Sequence, residues 1–234
     1  MLRELGIERF KSIKEAKLEF APLTTLVGPN GSGKSSCLEA LASIRQNVEN
    51  SGAFTFDGSL VKLGRFEDVV FRHKATKPIN FSLSFDVNTE VNGFADEGQL
   101  RQLQFKLSIG KDHSIIREIK LMFDKGTFSL KVSSSYDTFA HRWVRAVDPD
   151  VLALTSNEQS MLNFKLAPKQ AQGTQLYQKF VSALEFLKDL IRKMYYLSIS
   201  RGLASLYGSS YSMVISDYVG VYGENLPGML STAS

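Results

Sequence analysis

The chain has 234 residues, of which 43% are apolar and 11% aromatic, enough for a buried core in one large domain or two small ones. Its formal net charge of +4 and its pI near 9.0 are only mildly basic, and the basic residues are dispersed, so composition is weak support for nucleic-acid binding. The absence of a run of about twenty apolar residues excludes a membrane helix, and the single cysteine excludes an intrachain disulfide and favours a reducing cytoplasm.

Two apolar segments flank a glycine-rich loop near the N-terminus. Residues 23–27 read Leu-Thr-Thr-Leu-Val, which predicts a short buried strand ending at the loop. Residues 36–44 carry apolar side chains at helical spacing, which predicts a helix directly after the loop. The intervening residues complete the pattern G-x-x-x-x-G-K-[ST]: Gly28, Pro29, Asn30, Gly31, Ser32, Gly33, Lys34, Ser35 and Ser36.

This loop has the chemistry of a phosphate-binding site. Small residues allow backbone N–H groups to converge on a phosphate chain, and we expect the amides of residues 30–34 to cradle the β-phosphate. Lys34, the candidate catalytic residue, bridges the β- and γ-phosphates, Ser35 offers its hydroxyl to Mg²⁺, and the Ser36 amide reaches the α-phosphate. Asn30 has an alternative role in the turn geometry of the loop itself. A mere surface turn is disfavoured by the predicted strand and helix on either side.

The residues before the loop form a second pattern. Residues 5–14 read Leu-Gly-Ile-Glu-Arg-Phe-Lys-Ser-Ile-Lys, and the loop follows in the form Pro-Asn-Gly-Ser-Gly-Lys-Ser. Over residues 2–46 the chain resembles the amino-terminal start of the SMC/RecF/OLD group of ABC-type ATPases. The resemblance implies a first strand ending at Phe10, a turn at Lys11 and Ser12, a returning second strand, and a third strand that delivers the loop. It also implies that Lys11 and Ser12 lie near the base or phosphates; an exposed hairpin turn is the alternative.

The region of about residues 60–133 is predicted to form an antiparallel β-meander. Residues 79–87, 103–109 and 128–132 alternate apolar and polar side chains, as half-exposed strands do. Turn clusters at residues 110–112 and 124–126 separate such strands. The resemblance implies that this layer is the β-subdomain beside the nucleotide site. By the same resemblance, residues 66–73 match a linker that recurs in OLD-like members.

Beyond about residue 137 the chain is predicted to be irregular and then helical. Residues 175–193 carry apolar side chains at intervals of three and four, which predicts an amphipathic helix capped by Thr174 and packed on the core. Residues 194–199 predict a buried strand. The resemblance places the γ-phosphate-sensing Q-loop at its end, where Ser200 and Arg201 are the candidates because no glutamine is present; a surface ion pair of Arg201 is the alternative.

Two elements of a hydrolysing ATPase have no convincing copy in the sequence. The acidic strand that orients Mg²⁺ and the nucleophile has its nearest match at residues 213–217, where a serine interrupts the apolar run. The Ser-Gly-Gly signature of the resembled family is absent. Residues 219–230 resemble the family segment that leads into a helical lobe. We therefore expect the amino-terminal part of a longer ATPase, which alone binds nucleotide weakly and hydrolyses it poorly.

The predicted fold class is α/β, a P-loop NTPase of the ABC-ATPase-like kind with an antiparallel β-subdomain and a helical C-terminal part. We expect a core lobe over residues 1–200, with the helix of about residues 174–193, and the start of an incomplete helical lobe over residues 201–234. The resemblance implies ATP and Mg²⁺ as cofactors, and DNA as a partner in repair, chromosome maintenance or defence against mobile elements. It also implies a nucleotide-dependent homodimer and a cytoplasmic location.

Two other classes share the phosphate-binding loop. A small-molecule or nucleoside kinase needs a lid with arginines and an acceptor pocket, and the long β-meander argues against it. A GTPase is disfavoured because the sequence contains no Asn-Lys-x-Asp element for reading guanine.

Overall fold

The computed structural model describes residues 1–48, 54–111, 114–132, 140–145, 149–156, 164–166 and 175–196. The chain divides into two compact units, Met1–Ile191 and Arg192–Ser234, and the β-sheet belongs to the first. In the part of the chain described, no helix is long and apolar enough to cross a membrane.

An antiparallel sheet organises the first unit. Its strands and the α-helices around it are β1 Leu2–Phe10, β2 Ile13–Glu19, α1 Lys34–Val48, α2 Phe66–Val69, β3 Ile79–Thr89, β4 Leu100–Ile109, β5 Ser114–Phe123, β6 Thr127–Val132, β7 Ala140–Arg145, β8 Pro149–Ser156, β9 Phe164–Leu166 and α3 Gln175–Arg192. The strand order is β2-β1-β3-β4-β5-β6-β7-β8-β9. Each strand from β3 onward therefore pairs with the next one along the chain, while the connection from β2 to β3 carries the glycine-rich loop and α1.

The core lies on one face of this sheet because its strands alternate apolar and polar residues. Leu5 of β1 pairs with Leu83 of β3, and Leu83 in turn pairs with Phe105 of β4. All three side chains are buried, and burying a side chain of this size fully stabilises a fold by about 1.5–3 kcal/mol. On the opposite face Gly6 lies so close to Ser82 that a Cβ on Gly6 would collide with the Ser82 hydroxyl oxygen.

The strand β5 departs from simple alternation because of a register shift. Lys106 of β4 pairs with Glu118, but the next residue, Leu107, pairs with Ile116. Arg117, which lies between Ile116 and Glu118, is the extra residue and is exposed. The alternation of buried and exposed side chains along β5 therefore shifts by one residue at Arg117. The predicted strands at residues 79–87, 103–109 and 128–132 are confirmed in β3, β4 and β6.

Buried polar side chains of α1 hold the segment that follows it. Asn47 donates from Nδ2 to the Thr55 carbonyl at 2.7 Å and accepts the Thr55 N–H at 2.8 Å. Gln46 accepts the Val61 N–H at 3.0 Å through Oε1. These bonds satisfy backbone groups of an irregular segment, so the helix that follows the glycine-rich loop also supports residues 55–61. Leu38 of α1 is exposed.

The helix α3 carries an apolar stripe, as predicted. The buried members are Ala183, Leu184, Leu187 and Ile191. Lys179 lies over the rings of Phe94 and Phe128, at 5.4 Å and 5.0 Å from the ring centroids. The predicted helix of residues 175–193 is confirmed to within one residue, whereas its predicted cap, Thr174, lies outside the described residues.

Three predictions of local structure are wrong. Residues 23–27 form no strand, and Leu23 and Val27 are each 87% exposed. An apolar run is buried as a strand only where another strand covers it, and every strand pair in the described residues is antiparallel and involves other segments. Residues 194–196, expected to start a buried strand, are irregular, and Tyr195 is exposed. The stretch after residue 137, expected to be irregular, contains β7, β8 and β9, with Pro149 at a strand start, where its missing N–H is tolerated.

Candidate nucleotide-binding site

The glycine-rich loop ends in the first turn of α1, where backbone amides are available to a ligand. The Cys37 N–H donates to the Gly33 carbonyl at 3.0 Å, so Gly33 precedes the helix and Cys37 makes its first backbone bond. The N–H groups of residues 34–36 therefore have no intrahelical acceptor. Such a helix start carries partial positive charge and binds anions.

Lys34 folds over the loop that precedes it. Its Nζ donates to the carbonyl oxygens of Gly28 at 2.8 Å and Pro29 at 2.7 Å, and lies 3.4 Å from Ser32 Oγ. The ammonium group thus lies against the backbone that the sequence assigns to phosphate binding. Phosphate oxygens carry charge and accept stronger hydrogen bonds than neutral carbonyls, so this ammonium is suited to exchange one set of acceptors for the other.

The three hydroxyl and thiol side chains at the start of α1 differ in exposure. Ser35 is exposed, so its hydroxyl is accessible from solvent, while Ser36 and Cys37 are buried. Burial raises the pKa of the Cys37 thiol, so this side chain stays protonated and packs as a small apolar group. Cys37 therefore belongs to the buried core.

The turn between β1 and β2 lies against the loop. A Cβ on Gly33 would be 3.2 Å from Ile13 Cγ1 and 3.7 Å from Ser12 Oγ. Ser12 thus lies beside the backbone of the glycine-rich loop. Lys11 is held differently, because its Nζ lies 2.7 Å from Oε2 of Glu39 on α1.

Glu39 is a residue of this site that sequence reasoning missed. It lies four residues after Ser35, which places it one helical turn along α1 on the same side. The four-residue spacing from Ser35 was the sequence signal that could have identified Glu39. Its partner is 28 residues away in sequence, and only the fold brings the two together.

The segment of residues 66–73, expected to be a linker, closes the end of β1. It consists of α2 and a single 3₁₀ turn, Phe71–His73. The Lys11 N–H donates to the Val69 carbonyl at 2.6 Å, and Phe10 pairs with Val70. The Q-loop candidates Ser200 and Arg201, and the segments 213–217 and 219–230, lie outside the described residues.

The open face of the sheet carries a depression that is separate from this site. It has a volume of about 490 Å³ and is lined by Gly6, Ser82 and the charged residues around them, and by no residue of the loop. Among the residues that the structure describes, no group of three or more His, Cys, Asp or Glu side chains is placed to hold a metal ion.

Comparison with known proteins agrees with this geometry. A loop of backbone amides that leads into a helix, closed by a lysine, defines a P-loop nucleotide-binding protein. A family profile described as AAA ATPase domain matches residues 1–205. The chain belongs to this family.

Two curated relatives extend the comparison. The chain is 42% identical over 72 residues to the chromosome partition protein Smc of Mycolicibacterium paratuberculosis, and equally to that of Mycobacterium tuberculosis. The match covers 30% of this chain and 5% of each relative, so the chain corresponds to a small part of their length. Together with the family match, it confirms the predicted resemblance to the SMC/RecF-like ATPases.

Proposed function

We propose that the chain is the ATP-binding part of an SMC-like ATPase and that it binds ATP with Mg²⁺ through residues 28–36. The observation that carries this proposal is the position of the Lys34 ammonium, which lies against the backbone of the loop. The loop leads directly into three helix amides, those of residues 34–36, that have no intrahelical acceptor. The amides of residues 30–34 cradle the β-phosphate, and the Ser36 amide reaches the α-phosphate. Lys11 and Ser12 belong to the same site as neighbours of the loop.

The donor set fits a metal-bound nucleotide. Mg²⁺, when bound, would neutralise charge on the phosphate groups, and it is a metal that needs few protein ligands. Within the described residues of the loop, the exposed hydroxyl of Ser35 would serve as its protein ligand. Hydrolysis by the chain is expected to be much slower than typical enzyme turnover of about 1–10³ per second, because the sequence has no convincing acidic strand. A steady-state phosphate-release assay measures this.

Calorimetric titration with ATP and Mg²⁺ tests the binding site. Lys34→Met removes a charged hydrogen bond of about 1.5–3 kcal/mol, so Kd should rise roughly 10- to 100-fold. Lys14→Met, at an exposed position of β2, is the matched control and should leave Kd unchanged. Equal binding by the wild type and Lys34→Met would contradict the proposal. Competition with GTP, and an assay of phosphate transfer to nucleosides, test the GTPase and kinase alternatives.

We further propose that the complete protein acts on DNA, in repair, chromosome maintenance or defence against mobile elements. A group of exposed basic residues supports this role: Arg72, His73, Lys74 and Lys77. The Arg9 guanidinium joins the group by donating to the Lys74 carbonyl at 3.0 Å. In the described part of the chain none of Arg9, Arg72, Lys74 and Lys77 forms an ion pair with a carboxylate. Unneutralised positive charge of this kind suits a phosphodiester backbone.

Fluorescence anisotropy with labelled duplex DNA at several salt concentrations tests this role. Replacing Lys74 and Lys77 together by glutamine removes two phosphate contacts, so affinity should fall and the salt slope should decrease by about 2. Replacing Lys14 and Lys62, two other exposed lysines, is the control. An unchanged salt slope in the Lys74/Lys77 variant would show that these lysines do not contact DNA.

The nucleotide-dependent homodimer implied by the family is also a proposal. Sedimentation velocity with and without ATP and Mg²⁺ tests it, since association should require the nucleotide. Association that is equal with and without ATP would count against it.

A further inference from the structure

We propose that Glu39 is a positioning residue for the nucleotide loop and that it acts through Lys11. The inference rests on the proposed ATP site and adds a residue to it. Glu39 does not belong to the glycine-rich motif, and its role follows from a contact between two distant segments.

Lys11 is held at both its backbone and its side chain. Its N–H donates to the Val69 carbonyl at 2.6 Å, and its φ of 51° is left-handed, a conformation that residues with a Cβ rarely adopt. Its ammonium bonds to the Glu39 carboxylate at 2.7 Å. A strained backbone persists only where surrounding contacts determine it, and the Glu39 pair is one of those contacts.

The turn that these contacts hold forms a wall of the phosphate-binding loop. Ile13 is buried, and its Cγ1 would be 3.2 Å from a Cβ on Gly33, the residue that precedes α1. Ser12 Oγ lies slightly further from the same point, at 3.7 Å. A displacement of the turn would therefore release the loop at the residue where the helix amides begin.

The Lys11–Glu39 pair differs from an ordinary surface ion pair. Its side chains are 33% and 20% exposed, whereas Lys17 and Glu4, which pair at 2.8 Å in the same β-hairpin, are 64% and 31% exposed. The Lys17–Glu4 pair joins adjacent strands that are already hydrogen-bonded along their length. The Lys11–Glu39 pair joins the turn to α1, so it fixes the position of one element relative to another.

A double-mutant cycle on ATP affinity tests the inference. The variants Glu39→Gln and Lys11→Met, which keep side-chain size, and their combination are titrated with ATP and Mg²⁺ on the full chain. Each single substitution should raise Kd about tenfold, and the double variant should be little worse than either single one, because the two side chains act as a unit. Glu4→Gln is the matched control and should leave Kd at the wild-type value.

Other outcomes would overturn the inference. Wild-type affinity in Glu39→Gln would show that the pair does not position the loop. Multiplicative losses in the double variant, about a hundredfold in all, would show that Lys11 and Glu39 act separately. Thermal melting of each variant identifies the merely structural case, in which Tm falls but the folded protein binds as the wild type does. Failure of the wild type to bind ATP would instead remove the proposed function itself.

Discussion

At the scale of single residues, the glycine-rich loop depends on glycine at position 33, where the loop meets the turn between β1 and β2. Gly33 has a φ of 94°, a left-handed conformation that favours glycine, and it also faces the buried side chain of Ile13. Gly31 has a similar φ of 80°, but open space surrounds its Cβ position. Substitutions at the two glycines therefore distinguish the effect of backbone conformation from the effect of steric crowding.

We expect Gly33→Ala to be more damaging than Gly31→Ala. Both substitutions force a left-handed alanine, at a cost of about 1–2 kcal/mol, but only Gly33→Ala also presses a methyl group against Ile13. Urea denaturation should show the larger loss of stability for Gly33→Ala, and titration with ATP the larger rise in Kd. Equal effects of the two substitutions would mean that the contact with Ile13 does not constrain the loop.

At the scale of elements, α3 is joined to the sheet by a charged group as well as by its apolar stripe. Lys179 is 15% exposed, lies over two phenylalanine rings, and has its Nζ 3.9 Å from the carboxylate of Glu97, which is 5% exposed. An acid and a base this deeply buried stabilise a fold only as a pair, because either charge alone is poorly solvated.

Lys179→Met should consequently destabilise the protein, although methionine keeps the apolar stem. The substitution leaves the Glu97 carboxylate buried without this cation, and we expect a loss of about 2–3 kcal/mol in urea denaturation at neutral pH. Lys188→Met is the control, since Lys188 pairs with the exposed Glu185 within α3 at 2.7 Å. A loss no greater than that of the control would show that the Glu97 contact contributes little.

The segment before the loop is the element for which sequence and structure disagree most. If residues 23–27 were a buried strand, Val27→Ser would place a hydroxyl in an apolar core and cost several kcal/mol. With Val27 exposed, the same change should alter the free energy of unfolding by no more than about 0.5 kcal/mol. Val61→Ser, at a buried position, is the comparison, and an equal loss for both would contradict the exposed segment.

The elements that sequence predicts are those whose pattern is local. Residues 79–87 alternate without interruption and were found as a strand, whereas β5 was missed because the register shift around Arg117 breaks its alternation. The whole phosphate-binding loop is visible in the sequence because its chemistry lies in consecutive residues. Glu39 is not visible in this way, because its role depends on a contact with Lys11 that only the tertiary structure creates.

At the scale of the whole molecule, we expect charged contacts near the ends of strands to make the stability of the sheet depend on pH. The pKa of Asp124 is lowered, chiefly by its hydrogen bonds with the Arg101 guanidinium and then by the Gln99 N–H. The pKa of Glu67 is lowered mainly by its bond with Lys111. Both contacts involve residues at or next to the ends of β4, so acid acts on both ends of one strand.

We expect the free energy of unfolding to fall in acid, and to fall less in Asp124→Asn than in the wild type. Because the folded-state pKa is lowered, the contribution of Asp124 is complete above the ordinary aspartate pKa of about 3.9 and is lost as pH falls through the folded value. Urea midpoints of wild type and Asp124→Asn should therefore differ most near pH 7 and converge near pH 2. A difference that stays constant with pH would show that the loss in Asp124→Asn is not electrostatic.

The strand order also has a consequence for biosynthesis. The strand β1 lies between β2 and β3, yet β3 begins only at Ile79, long after the first hairpin is complete. At about 5–20 residues per second, the ribosome needs roughly 3–12 s to produce the intervening segment of about sixty residues. During that interval one edge of β1 has hydrogen-bonding groups without a partner strand, and edges of this kind are where nascent chains associate wrongly. The charged side chains of β1, among them Arg3, Glu4 and Glu8, are of the kind that disfavours such association until β3 pairs with the strand.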